Sequence, residues 1–215
     1  MQKKNQAYVL IKNAIMECKI LPGEVLNMNE LSEWLGVSRT PLREALSSLE
    51  TEGFIKTIPH RGAFVCDITP SEVREKLEVR ELLETYATRL ATPNIPEKDL
   101  DFLCEKIDSY FKENKSDPAA MLEIDLSLHG LIVEHCGNET IKGFLRNIAD
   151  NIIRMRIRST NIEERLMQST REHEEILKAL KERDASKAEE LMRAHIRQAK
   201  ANALKALQIP ITKRN

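Results

Sequence analysis

No stretch of the chain approaches the ~18 to 20 uncharged apolar residues that a membrane helix needs. The apolar run nearest the N-terminus is broken by Lys12, Asn13 and Glu17, which argues against a signal peptide. A cytoplasmic protein with no membrane partner is expected. Paired cysteines are missing as well: Cys18, Cys66, Cys104 and Cys136 are scattered with no Cys-x-x-Cys spacing, against both a thiolate metal site and a disulfide scaffold. Seven Gly, eight Pro and 4% aromatics in 215 residues are the texture of a largely helical chain rather than a sheet-rich one. Charge of one sign is also lacking. With 33 Lys and Arg against 34 Asp and Glu there is no global nucleic-acid footprint, so any DNA contact must be local. What is present, 41% hydrophobic and 31% charged, is ordinary for a packed soluble chain and rules out disorder.

The first 66 residues differ in pattern from the rest. Asn5 to Lys19 carries Ala7, Ile11, Ala14, Ile15 and Cys18 at helical spacing, and Leu21-Pro22-Gly23 stops it. A short helix over Asn29 to Leu35 leads into a tight turn at Gly36-Val37. Ser38 then caps a third helix from Arg39 to about Glu52, which Gly53 ends. Two extended runs, Phe54 to Ile58 and Ala63 to Val65, flank the basic turn Pro59-His60-Arg61-Gly62 and predict a hairpin. Beyond Thr69-Pro70, helices are predicted over Ser71 to Ala91, Glu97 to Glu113, Pro118 to Cys136, Glu139 to Ser159, Ile162 to Lys181 and Ala185 to Leu207. Their short separators favour antiparallel packing. The expected architecture is mainly α: an N-terminal winged helix-turn-helix over 1–68, followed by an all-α antiparallel helical bundle over 69–215.

Helix, short helix, tight turn, helix and basic hairpin is the order of a winged helix-turn-helix, whose post-turn helix enters the major groove. In that helix Leu42, Ala45, Leu46 and Leu49 form an inward stripe, leaving Arg39, Thr40, Arg43 and Ser47 on another face. An arginine fork matches the two acceptors on guanine's major-groove edge, and Arg39 and Arg43 lie in the first turns, where a recognition helix meets bases. Pro41 is tolerated there because first-turn amides have no intrahelical acceptor. Two arginines alone would equally suit a solvated face, and residues 1–66 hold only eight Lys or Arg against seven Glu. The whole ordered string favours DNA.

That string, Leu21-Pro22-Gly23-Glu24-Val25-Leu26, Asn29 to Leu46 with Trp34-Leu35-Gly36-Val37-Ser38-Arg39-Thr40-Pro41-Leu42-Arg43-Glu44, Leu49 to Phe54, and Arg61-Gly62-Ala63-Phe64-Val65, closely resembles the N-terminal domain of GntR-family bacterial transcription regulators. The resemblance implies a homodimeric repressor or activator on double-stranded operator DNA with a short inverted repeat. Arg39, Thr40 and Arg43 would meet the operator, and His60, Arg61 and Gly62 would form the wing. Asn29 stands where the family often has an arginine, so that contact is expected to be weaker or absent.

In the second part the signal is a polar residue where a helix should be apolar. Leu122, Asp125, His129, Ile132 and Cys136 share one stripe, as do Leu166, Thr170, His173, Ile176, Leu177 and Leu180 on the next-to-last helix. Ala188, Leu191, Met192, His195 and Ala199 do the same on the last helix. Singly, each inward histidine suits a hydrogen-bonded core. Together, three His and one Asp facing one bundle core would suit one divalent metal per chain, zinc first, nickel or manganese next. His135 lies off the stripe. The Asp125-x-x-x-His129 pair with His173 and His195 resembles the metal-binding pattern of the FCD domain, the effector domain of the FadR subgroup within the GntR family, over about residues 69 to 207. This implies a small carboxylate effector bound at the metal, rather than a fatty acyl-CoA.

Arg80 aligns with Val73, Leu77, Leu83 and Ala87, where it could clamp an effector carboxylate or pair with Glu84. Arg154, Arg156 and Arg158 suggest a second anionic site or a solvated or dimer-facing surface. The leading expectation is a non-enzymatic, ligand-responsive regulator, a repressor of a metabolic operon sensing a small organic acid. The alternative is a metal-dependent hydrolase with a DNA-targeting domain. No His-Glu-x-x-His string supports the hydrolase, though Glu134, Glu172 or Glu174 could serve as its general base.

Overall fold

The computed structural model describes residues 2–112, 117–159 and 163–208. The chain divides into two compact units, one ending at Thr69 and one running from Pro70 to Gln208, each with its own hydrophobic core.

The first unit contains α1 (Gln2–Met16), β1 (Val25–Leu26), α2 (Met28–Leu35), α3 (Arg39–Thr51), β2 (Ile55–Ile58) and β3 (Gly62–Val65). α1 stops short of the predicted Lys19 because Cys18 takes a left-handed φ of 58°. The amides of Lys19 and Ile20 then both turn back to the Ala14 carbonyl, at 2.8 and 3.1 Å. Cys18 therefore leaves the buried stripe, which ends at Ile15. Between α2 and α3, Gly36 adopts φ 61°, a conformation that penalises a Cβ, and the Val37 amide closes on the Ser32 carbonyl at 3.2 Å. Ser38 occupies the N-cap of α3, but its side chain makes no capping bond.

The expected hairpin is present, with β2 and β3 antiparallel from Ile55↔Val65 to Ile58↔Gly62. A third strand joins it, giving the order β1-β3-β2. Leu42, Ala45, Leu46 and Leu49 of α3 are buried against Ile11, Leu31 and Phe54. Glu50, at the outer face of the same helix, accepts from both Thr57 N and Thr57 Oγ1, at 2.6 and 2.9 Å, and so ties the wing to the helix.

The second unit is helical throughout: α4 (Pro70–Ala91), α5 (Glu97–Lys112), α6 (Pro118–His135), α7 (Glu139–Ser159), α8 (Glu163–Lys181) and α9 (Ala185–Ala206). The starts of three helices carry side-chain caps. Asp117 accepts from Ala119 N, Asn138 from Ile141 N and Asp184 from Lys187 N, at 2.9, 3.1 and 2.9 Å. α4 packs on α6, α7 and α9, while α8 packs on α5, α6 and α9. Leu128, Ile132, Ile176, Leu177, Met192 and Ile196 are among the buried side chains between them. Burying each such side chain contributes about 1.5–3 kcal/mol. Against this background α4, α6, α8 and α9 all turn ionisable residues inward. No described helix is long and apolar enough to cross a membrane.

Candidate functional site

One turn separates Asp125 from His129 on α6, so both side chains leave the same face of that helix. α8 brings His173 and α9 brings His195 to the same place. All four residues are buried, with exposures of 8%, 6%, 1% and 2%. One ligand atom from each lies within 4.8 Å of every other. His129 Nε2 is 3.3 Å from His195 Nε2, which is 3.4 Å from His173 Nε2. Asp125 Oδ1 closes the ring, 3.3 Å from His173 Nε2 and 3.5 Å from His129 Nε2. Nitrogen and oxygen donors about 2.0–2.2 Å from a common ion stand about 3–3.5 Å apart at neighbouring positions.

The opposite ring nitrogens decide what these atoms can do. His129 Nδ1 bonds Glu84 Oε1, and His195 Nδ1 bonds Glu172 Oε2 at 2.7 Å. A carboxylate at Nδ1 fixes the hydrogen there, which leaves the lone pair on Nε2. Two lone pairs therefore face each other across 3.3 Å beside a carboxylate. Such an arrangement is relieved by a positive charge at its centre, and its donor set is one that could hold a metal ion. Burial lowers the His129 ring below its ordinary range, with Glu84 opposing and Arg80 assisting, which favours the neutral imidazole. Burial alone would raise the Glu84 carboxyl. The Arg80 guanidinium and the His129 ring outweigh it and hold that carboxyl well below the usual carboxylate range.

Arg80 is buried as expected, yet it stands behind the donor ring rather than in it. Its Nε and Nη2 donate to Glu84 at 2.5 and 3.3 Å. The order is therefore Arg80, Glu84, His129, then the donor centre. His135 lies outside the cluster, its Nδ1 on the Leu131 carbonyl at 3.0 Å. The side chains of Leu166, Arg154, Arg156 and Arg158 lie outside the described residues. Of the bases considered for a hydrolase, Glu134 pairs with Arg146 at the surface at 2.6 Å, and Glu172 faces the far nitrogen of His195. Sequence reasoning missed the orienting roles of Glu84 and Glu172. Glu84 announced itself only as the i+4 partner of Arg80, and Glu172 only as the neighbour of His173.

In the first unit Arg39, Thr40, Arg43 and Ser47 form an exposed face of α3, opposite the buried leucines. Arg39 Nη2 donates to Asn29 Oδ1 of α2 at 2.9 Å, so Asn29 steadies an arginine instead of supplying one. At the wing tip His60, Arg61 and Gly62 are exposed; His60 has φ 60° and Gly62 φ 99°.

Residues 3–65 match the family model of bacterial regulatory proteins of the gntR family, and residues 75–198 match that of the FCD domain. The chain belongs to the GntR family. This GntR regulator is 28% identical over 192 residues to the HTH-type transcriptional regulator YdhC of Bacillus subtilis (strain 168), covering 88% of this chain and 86% of that protein. It is 26% identical over 198 residues to the HTH-type transcriptional repressor RspR of Escherichia coli (strain K12), covering 90% and 85%. Among solved structures, a GntR transcriptional regulator from Rhodococcus sp. RHA1 shares the fold at TM-score 0.80 and 17% identity, over 95% of this chain and 99% of that one. The Zn2+-bound FCD domain of TM0439 shares the fold of the helical unit at TM-score 0.55 and 24% identity, over 66% of this chain and 97% of that one. Mainly helical architecture, a winged N-terminal unit and a helical second unit are thus common to the chain and its relatives.

Proposed function

We propose that this GntR-family transcription regulator is a cytoplasmic homodimeric repressor that senses a small organic acid through a divalent metal in its helical unit. The observation that carries the reading is the ring of three Nε2 atoms and Asp125 Oδ1, with two of the histidines held from behind by carboxylates. Asp125, His129, His173 and His195 would hold one ion per chain. Such an ion, zinc first and nickel or manganese next, supplies coordination positions that accept a carboxylate. The zinc bound to the similar FCD domain of TM0439 supports the choice of metal, and the repressor RspR supports the direction of control.

The chain's own residues supply the rest. Donors from α6, α8 and α9 converge on one point, so occupancy of that point favours one arrangement of three helices over others. Arg39, Thr40 and Arg43 would read base edges and phosphates while His60, Arg61 and Gly62 of the wing meet the flanking backbone. An inverted repeat requires two such units related by a two-fold axis. On α4, Val79, Leu82 and Tyr86 are 44%, 68% and 50% exposed at i, i+3 and i+7, an apolar stripe suited to a second copy.

The test is operator binding by fluorescence anisotropy, with and without the best carboxylate from a thermal-shift screen, in wild type and Asp125→Ala. A change of about 5- to 150-fold in wild type, absent in Asp125→Ala, is expected. An equal response in both proteins would place sensing elsewhere.

A further inference from the structure

The exposed face of α3 does not end at Ser47. Glu50 stands at i+3 from Ser47 and i+7 from Arg43, so a carboxylate continues the row that begins with Arg39 and Arg43. A negative charge there opposes the approach of a helix to phosphates. Both of its oxygens are turned to the wing instead: Oε1 accepts from Thr57 N at 2.6 Å and Oε2 from Thr57 Oγ1 at 2.9 Å.

The position of Thr57 gives that hold its consequence. β2 is an outer strand of the sheet, so its outward amides have no strand partner, and Glu50 supplies an acceptor for one of them. The base of the hairpin is fixed by other means. Phe54, Ile55 and Val65 are buried, Cys66 N bonds the Phe54 carbonyl at 2.9 Å, and β1 pairs with β3 through Val25↔Phe64 and Leu26↔Ala63. Beyond Ile55 the strand leaves the core: Lys56 and Thr57 are exposed, and the turn that follows, closed by Arg61 N on the Ile58 carbonyl at 3.0 Å, carries His60, Arg61 and Gly62. Thr57 thus lies between the anchored base and the tip. A two-point hold there fixes the direction of the tip relative to α3.

We propose that Glu50 is a positioning residue that determines specificity in DNA binding: it touches no nucleotide, and through Thr57 it sets the register between the base edges read by α3 and the flanking groove met by the wing. The inference rests on the proposed DNA contacts of α3 and the wing, and adds to them a residue that acts only through another. What acts is hydrogen-bond geometry rather than charge. A glutamine amide reproduces both bonds, its oxygen accepting from Thr57 N and its NH2 donating to Thr57 Oγ1, whereas alanine makes neither. Glutamine also removes the charge that opposes phosphate.

The experiment is fluorescence anisotropy at fixed salt with the full-length protein and a labelled duplex that the wild type selects from a randomised pool. The variants are Glu50→Ala, Glu50→Gln, Thr57→Val, Arg61→Ala and the double variant Glu50→Ala/Arg61→Ala. Glu50, Thr57 and Arg61 are all exposed, so each variant should keep the wild-type circular-dichroism spectrum. Glu50→Ala should weaken binding about tenfold and Thr57→Val about threefold, while Glu50→Gln binds as tightly as wild type or more so. Arg61→Ala should cost about tenfold in the wild-type background but less than about twofold on top of Glu50→Ala, because the wing contact is already lost there. A repeated selection with Glu50→Ala should keep the bases at the centre of each half-site and lose the preference at the flanks. Undiminished binding by Glu50→Ala would overturn the proposal. So would an equal loss in Glu50→Gln, which makes charge the cause, or additive losses in the double variant, which leave the wing in place. Undiminished binding by Arg61→Ala alone would overturn the wing assignment itself, and this inference with it.

Discussion

Arg39, Thr40 and Arg43 stand in water on a helix whose other face is fully packed, whereas Asp125, His129, His173 and His195 are 8% exposed or less and lean on one another. On α3 the exposed polar side chains take no part in the core: removing one leaves the buried stripe Leu42, Ala45, Leu46 and Leu49 intact. Within the bundle each polar group is the partner of another, from Arg80 through Glu84 to His129 and from Glu172 to His195. Substitutions should therefore separate function from stability in the first unit and entangle them in the second.

The largest expected effect is at Glu84. Glu84→Gln leaves the Arg80 charge buried without its counter-charge and should destabilise the fold by about 3–5 kcal/mol in urea denaturation. A loss below 1 kcal/mol would mean that the bundle tolerates its polar groups separately, as the winged unit does. Glu172 is the sharper comparison, because it also holds a histidine Nδ1 but its side chain is 22% exposed. Glu172→Gln should weaken metal binding about 10- to 100-fold, measured by competition with a chelating dye, at little cost in stability. In the first unit Arg43→Ala should weaken specific operator binding by ~1–3 kcal/mol with an unchanged circular-dichroism spectrum. Asn29→Ala acts only through Arg39 and should cost less, about 0.5–1.5 kcal/mol in operator affinity. If Asn29→Ala proves the more harmful of the two, Asn29 itself touches DNA.

The same contrast governs what could be read from the chain. Helix ends on described residues of the bundle were legible to within a residue or two, as for Ala185–Ala206 with its Asp184 cap, because capping residues and short separators are local signals, whereas the expected ends at Glu113 and Ile162 lie outside the described residues. The inward stripes of α3, α6, α8 and α9 were legible for the same reason: periodicity along one helix reports its buried face. β1 was not, since two residues carry no alternation and Val25–Leu26 becomes a strand only by pairing with β3. The end of α1 was not, because the left-handed turn at Cys18 uses a residue that ordinarily avoids it. Glu84 and Glu172 were hidden for a different reason. Each orients a histidine on another helix, and no pattern within one helix says which neighbour its flank will meet. Arg80 shows the limit most plainly: its inward direction was legible, but that Glu84 would separate it from the donor ring was not.

The central claim is that the buried ring of donors holds a metal, and it is tested most directly by counting that metal. Elemental analysis of the purified, dialysed full-length protein should find about one divalent ion per chain in wild type and almost none in His173→Ala and His195→Ala, with the winged unit still folded in all three. Full metal retention in both variants would contradict the account, since each would then hold its ion without one of the four donors assigned to it.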